Sequence, residues 1–264
     1  MNAAWIIVTI IILILLLLAF FKVYLVLTTG WDRSPTCLLG KTTLITGANT
    51  EIKATEPRLD ILVNNAGAGL FKHTITQDDL SLSMQINHFG PFLLTILFIG
   101  LLKRSFPSRI VMVSSEAARM GKLNISDLNS VPTRYFKEET DYANTKLCNI
   151  ITANELARRL KGTGVDVNSV HPGAVQSDFL RNLSPFKQRI AKFFTKLFYK
   201  PTEAGAQTTI YVAVSKEISG VSGAYFADCK EKPMLQNANN IELAKLVWEK
   251  SEQFVKLTAE EKKF

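Results

Sequence analysis

The first stretch of the chain has a hydrophobic pattern unlike the rest. From Ala3 to Phe21 there are nineteen positions without a charge, dominated by Ile, Leu and Val. At about 1.5 Å per residue, such a helix nearly covers a hydrocarbon layer of about 30 Å. Lys22 interrupts the run, and Val23–Leu27 adds an interfacial shoulder. A cleavable signal has a basic start and an apolar stretch of about 7 to 15 residues. Here the start is uncharged and the run longer, so residues 1–28 are expected to be an uncleaved transmembrane anchor. Lys22, Arg33 and Lys41 follow the run while no Lys or Arg precedes it, which puts the following domain in the cytosol.

From residue 38 to 264 the pattern alternates short apolar runs with helical periodicity. Lys41–Gly47 reads as a strand entering a glycine turn, and Pro57 ends whatever helix starts at Thr50. Asp60–Gly67 is a second buried strand, closed by a polar turn. Asp78–Leu102 reads as one long helix, with Met84, Ile86, Phe89, Phe92, Leu93, Ile96 and Leu97 on its apolar face, Asn87 as an isolated polar group and a kink expected at Pro91. Arg109–Ser115 is a third strand, ending on two hydroxyls. A polar loop through Pro132 leads to a helix over Asp141–Lys161. Val165–Val170 is a fourth strand, ended by His171-Pro172-Gly173. Phe186–Lys200 is amphipathic and basic, suited either to an anionic membrane surface or to packing on its own core. Thr202–Ser215 reads as another packed helix, Gly223–Phe226 as a short last strand, and Ile241–Leu257 as an amphipathic terminal helix. This alternation predicts an α/β domain with a parallel sheet, whose ligands sit at the strands' C-terminal ends. Gly47, Asn64–Gly67, Ser115 and Pro172-Gly173 all fall at such ends.

Composition narrows the partners. Net charge is +8, which suits nucleic acid, an anionic membrane or a phosphate-bearing ligand. No helix-turn-helix, zinc-finger or RNA-binding signature is present, so nucleic acid is not expected. His73, His88 and His171 are scattered without metal-ligand spacing, so no metal is expected either. Cys37, Cys148 and Cys229 read as free thiols of a reducing compartment. The sequons at Asn124 and Asn182 would be used only in a lumen-facing domain.

The candidate chemistry lies at Tyr142-Ala143-Asn144-Thr145-Lys146. Residues four apart on a helix lie one above the other, so the phenol and the ammonium point the same way. A fixed cation beside a phenol favours the phenolate, which would let the pair move protons at physiological pH. A Tyr followed four positions later by a Lys also arises by chance in about half of chains this long. The strand-end residues around this pair set it apart.

Asn64-Asn65-Ala66-Gly67, Ser115, Tyr142 with Lys146, and Pro172-Gly173, in this order, resemble the short-chain dehydrogenase/reductase family from about Lys41 to the C-terminus. The anchor, Leu38-Leu39-Gly40-Lys41, Arg109–Ser115 and His171-Pro172-Gly173 are most similar to its membrane-bound retinol dehydrogenases. The resemblance implies a Rossmann-like doubly wound parallel sheet. It also implies Tyr142 as proton donor or acceptor, Lys146 holding the nicotinamide ribose and lowering the tyrosine pKa, Ser115 binding the substrate oxygen, and Asn87 supporting a proton relay. Cofactor contacts are implied at Gly47, Asn64, Ala66, Gly67, Tyr142, Lys146, Pro172, Gly173 and Val175. The implied cofactor is NADP, with NAD possible. The substrate would be a lipophilic alcohol or aldehyde such as a retinoid. The setting would be a single span in the endoplasmic reticulum or another intracellular membrane, with Phe186–Lys200 as a lid. Plainer readings exist: Asn87 satisfying a buried backbone group, Ser114 and Ser115 as strand-end hydroxyls, and Pro172-Gly173 as a turn.

The chain departs from the family after Gly47. At the second and third glycine positions of the family's pattern it has Glu51 and Lys53, and only sixteen residues separate Gly47 from Asn64. The family has roughly eighty there, so about sixty are expected to be missing. These would include two edge strands, leaving Thr42–Thr46 as a new edge and dinucleotide binding weakened or lost. A second reading therefore stands beside the enzyme: a catalytically inactive, truncated splice or gene-model product, acting if at all as a membrane-anchored binding protein.

Overall fold

The computed structural model describes residues 3–47, 56–71, 74–129 and 137–263. Glu51, Lys53, His73, most of the expected Thr50–Glu56 helix and the end of the polar loop at 130–136 lie outside these. A six-stranded sheet runs β1 (Thr43–Ile45), β2 (Ile61–Asn64), β3 (Ser108–Val113), β4 (Val165–His171), β5 (Tyr225–Ala227) and β6 (Lys230–Lys232), in spatial as in sequence order. β1 to β5 are parallel and β6 is antiparallel to β5. The helices are α1 (Ala3–Thr28), α2 (Leu82–Met84), α3 (Gly90–Arg104), α4 (Lys137–Arg159), α5 (Pro185–Phe198), α6 (Thr202–Val214) and α7 (Ile241–Phe254).

Strand alternation sorts the core into two layers. Leu62, Ile110, Met112 and Val167 turn to one face, where Phe92 and Ile99 of α3, Leu156 of α4 and Trp248 of α7 cover them. Ile61, Val63, Val111, Val113 and Val170 turn to the other, beneath Val212 and Ala213 of α6. Helices on both faces of a mostly parallel sheet make this a Rossmann-like α/β fold. Among the described residues β1 pairs only with β2, and Ile45 is 46% exposed at that edge.

Two features go beyond the sequence pattern. The long helix is interrupted just before Pro91, where α2 and α3 are joined by a π turn, Gln85–Phe89. Pro91 has no N–H for the carbonyl of Asn87, four residues earlier; that carbonyl accepts from Asn149 Nδ2 at 2.9 Å instead, and the Gly90 N–H reaches back to Gln85 O. The chain also makes β6, which its Lys-Glu-Lys sequence does not announce. Asp228 and Cys229 both have positive φ, 52° and 54°, forming a two-residue hairpin loop whose twist matches the strands.

α1 has 26 residues and measures about 39 Å. Leu82–Arg104 is also long and apolar enough to cross a membrane, but half of it is buried, against β2 and β3.

Candidate active site

The end of β3 and the start of α4 are tied together directly. Ser114 donates its N–H to Val170 O on the neighbouring strand at 2.7 Å, and its hydroxyl donates to Lys146 O at 2.7 Å. This fixes the turn of α4 bearing Tyr142 and Lys146 against the sheet. Ser115 follows in extended backbone and caps the short helix Glu116–Met120, its Oγ accepting from Ala117 N at 3.2 Å. The same residue lines a cavity together with Tyr142.

Lys146 is 3% exposed, donates from Nζ to Val113 O at 3.0 Å, and lies 5.7 Å from the centre of the Tyr142 ring. Burial pulls its ammonium down to about 8. Burial pushes the Tyr142 phenol up to about 12, against a smaller opposing effect of the Ser115 side chain, so desolvation is the leading influence on the phenol in this geometry.

Behind the pair, Asn87 is fully buried on the π turn and clamps one residue: it accepts from Ala68 N at 2.9 Å and donates to Ala68 O at 2.7 Å. Gly67 sits in the gap, where a Cβ would come 3.0 Å from Lys146 Nζ and 3.4 Å from Asn87 Oδ1. The Asn65 and Ala66 amides both donate to Thr46 Oγ1, at 3.0 and 2.9 Å, and join the ends of β1 and β2. Gly47, at φ 88°, passes so close that a Cβ would meet Ala66 Cα at 3.2 Å. Asn64 is buried and turns inward, donating to Thr95 Oγ1 at 2.8 Å.

Of the sequence-derived site residues, Ser115, Tyr142, Pro172, Gly173 and Val175 line one cavity of about 520 Å³, with Met120, Leu180 and Tyr199 among its other walls. Lys146, Asn87 and Gly67 stand behind Tyr142, while Gly47, Asn64 and Ala66 lie along β1 and β2, away from that cavity.

Several participants were not legible in the pattern. The Phe179 ring covers Tyr142 with centroids 4.7 Å apart, and Gly69 makes room for both: a Cβ there would come 2.6 Å from Phe179 and 2.9 Å from Tyr142. His171 Nδ1 accepts from Glu116 N at 3.1 Å and Gly173 N at 3.4 Å. This sets the tautomer with the proton on Nε2, 3.9 Å from Glu116 Oε2. Burial lowers the His171 pKa, against the Glu116 and Asp228 carboxylates. Only the glycine and the histidine of these groups carried a hint, as turn residues.

Residues 36–188 match the protein family described as short chain dehydrogenase. Retinol dehydrogenase 14 of Mus musculus is 44% identical over 207 residues, 78% of this chain and 61% of the relative. A Bos taurus protein named dehydrogenase/reductase SDR family member 13 is 39% identical over 209 residues, 79% of this chain and 55% of its own length. The chain thus spans only about three fifths of the relatives it matches. Among solved structures, an uncharacterized protein from Mycobacterium paratuberculosis superposes with a TM-score of 0.59 at 25% identity, over 76% of this chain and 69% of that one.

Proposed function

Because the chain belongs to the short-chain dehydrogenase family, we propose that it is a membrane-anchored oxidoreductase that interconverts a lipophilic, retinoid-like alcohol and its aldehyde. One observation carries this reading: the Ser115 hydroxyl and the Tyr142 phenol share the wall of a cavity otherwise largely apolar. In this reading α1 is the anchor, and residues 38–264 face the cytosol from the endoplasmic reticulum or another intracellular membrane. The relatives' name, retinol dehydrogenase, supports the substrate class.

A nicotinamide dinucleotide, in the proposed NADP form or as NAD, supplies or accepts the hydride when bound. The residues present fit its nicotinamide and ribose end. Among the described residues Lys146 Nζ has one hydrogen-bond acceptor, Val113 O. A buried ammonium carries three donors, so hydroxyls of a ribose beside Gly67 would complete it. Pro172, Gly173 and Val175 form the adjoining wall. At the phosphate end the sequence has Glu51 and Lys53. Charged hydrogen bonds are worth roughly 1.5 to 3 kcal/mol each, so losing two or three weakens binding by about 10³-fold or more.

The chain's own residues then divide the work. Ser115 takes a share in holding the substrate oxygen. Tyr142, a phenol protonated at neutral pH, gives the phenolic proton to a carbonyl oxygen in reduction and takes it back in oxidation. Asn87 keeps the Ala68 backbone, and with it the Gly67 turn, against Lys146. Phe179 excludes water from one side of the phenol.

A second reading, a non-catalytic binding protein, draws on the span of three fifths of the relatives' length. Turnover decides between them: the full chain in detergent micelles, with all-trans-retinal and NADPH or NADH, is expected to oxidise the dinucleotide in a retinal-dependent manner that Tyr142→Phe abolishes. No turnover at millimolar levels of either dinucleotide would leave the binding protein as the better reading.

A further inference from the structure

α5 is inverted relative to a helix that packs on its own protein. Its inner side is small and polar: Gln188, Ala191 and Thr195 are half-buried, Gln188 Nε2 donates to Arg181 O and Leu183 O at 2.7 and 2.8 Å, and Thr195 lines the Tyr142 cavity. Four of its large apolar residues face out, with Phe186 74% and Phe193 68% exposed and Ile190 and Phe194 beside them, while Leu197 and Phe198 in its last turn are half-buried. This excludes core packing as the reason for its amphipathicity, since the core receives the wrong face.

What lies outside is indicated by charge and by depth. Lys187, Arg189, Lys192 and Lys196 flank the apolar stripe, all exposed, and no Asp or Glu occurs between Asp178 and Glu203. Lys22 is the first charge after the apolar run of α1, and it donates from Nζ to Lys196 O and Leu197 O at 3.3 and 3.4 Å, closing the C-terminus of α5. The neighbouring Phe21 ring meets Phe198 edge-on at 5.4 Å. α5 is therefore docked on α1 at the point where a spanning helix leaves the hydrocarbon. A helix with an apolar stripe, a basic flank and that depth is suited to the interface of an anionic bilayer.

We infer that α5 lies in the headgroup layer of an anionic membrane beside α1, with Phe186, Ile190, Phe193 and Phe194 inserted and the basic flank on lipid phosphates and carboxylates. Thr195 and Tyr199 belong both to this segment and to the cavity wall, so the cavity opens at the membrane surface and a lipophilic substrate enters laterally from the bilayer. The inference rests on the proposed anchoring by α1, which flotation tests separately.

The experiment uses the full chain with Cys37→Ser and Cys229→Ser, Cys148 being buried, and an environment-sensitive fluorophore on Phe193→Cys or, in parallel, Phe194→Cys. Ile241→Cys, on the exposed start of α7, is the control. Far-UV circular dichroism verifies the fold of each. In phosphatidylcholine vesicles containing phosphatidylserine and a nitroxide-labelled lipid, emission at positions 193 and 194 is expected to fall at least twofold relative to nitroxide-free vesicles. Position 241 is expected to be unaffected, and replacing the four flanking basic residues with Gln should halve the quenching. Vesicle-bound protein in which 193 and 194 are no more quenched than 241 would overturn the inference. So would burial of the label that appears only with rising protein concentration, which would assign the stripe to a second copy of the chain. Failure of the protein to float with vesicles would refute the anchoring, and the inference with it, while leaving the turnover test of the enzyme untouched.

Discussion

The C-terminal ends of β3 and β4 are packed between helices on both sheet faces, whereas among the described residues β1 has a neighbour on one side alone and both Thr43 and Ile45 stand exposed. In the first region several groups are held more than once. Ser114 bonds both Val170 and Lys146, Asn87 clamps Ala68 twice, and Ser115 caps the short helix that follows β3. In the second, Thr46 Oγ1 and one salt-bridged aspartate supplement the backbone pairing of the strands. Asp60 is buried, takes Thr42 N at 2.9 Å, Lys41 at 2.7 Å and two of the Arg58 guanidinium nitrogens, and joins the starts of β1 and β2. A proton-transfer face can thus be well supported while the strand that begins the nucleotide half depends on few contacts. The contrast separates chemistry from cofactor affinity, and each can be perturbed without the other.

The largest effect is expected on the supported side. Tyr142→Phe removes the proton donor and leaves the packing of the ring against Phe179, so kcat should fall by about 10³-fold, within the usual range of acid–base catalysis. The melting temperature should be nearly unchanged. A comparable fall in stability would show that the two regions are not independent.

Asp60→Asn comes next and reverses the pattern. It removes charge-assisted bonds from a buried site and should cost about 2 kcal/mol in denaturant unfolding, with little effect on kcat at saturating dinucleotide. Burial raises the Asp60 pKa, but Arg58, Lys41 and the Thr42 amide outweigh it and hold the carboxyl well below its ordinary range. The folded pKa is depressed, so this contribution is full above the unfolded value of about 3.9 and declines as pH falls toward the folded one. Stability measured from pH 5 downward should therefore fall more steeply in the native chain than in the variant.

The smallest effect belongs to the edge itself. Ile45→Lys puts a charge on the unpaired side of β1, where surface changes stay within about 0.5 kcal/mol and edge charges oppose strand-to-strand association. Light scattering in micelles should decrease while unfolding is unmoved; a loss of several kcal/mol would mean that the edge is covered.

Much of this contrast was legible in the amino-acid pattern. The buried strands announced themselves as apolar runs, Ser115 by its place at a strand end, and Tyr142 with Lys146 by their helical spacing. Other features arise only in three dimensions. Phe179 is four residues past Val175, in a short 3₁₀ segment with no periodicity, and reaches Tyr142 only because Gly69 yields space. The π turn follows from Pro91 orphaning the Asn87 carbonyl, a consequence that needs Asn149 from another helix to complete it. The direction of the Tyr142 shift depends on how much water the cavity removes, which spacing along a helix does not encode. The outward face of α5 was open to two readings until its neighbours were in view.

Nicotinamide fluorescence during titration of NADPH into the full chain in micelles, measured in parallel with single-turnover reduction of retinal, tests the central claim most directly. The account predicts weak but saturable binding, with Kd in the high micromolar to millimolar range, and a turnover at saturation that disappears in Tyr142→Phe while Kd stays the same. Absence of saturable binding, or binding whose turnover is indifferent to Tyr142, would contradict it.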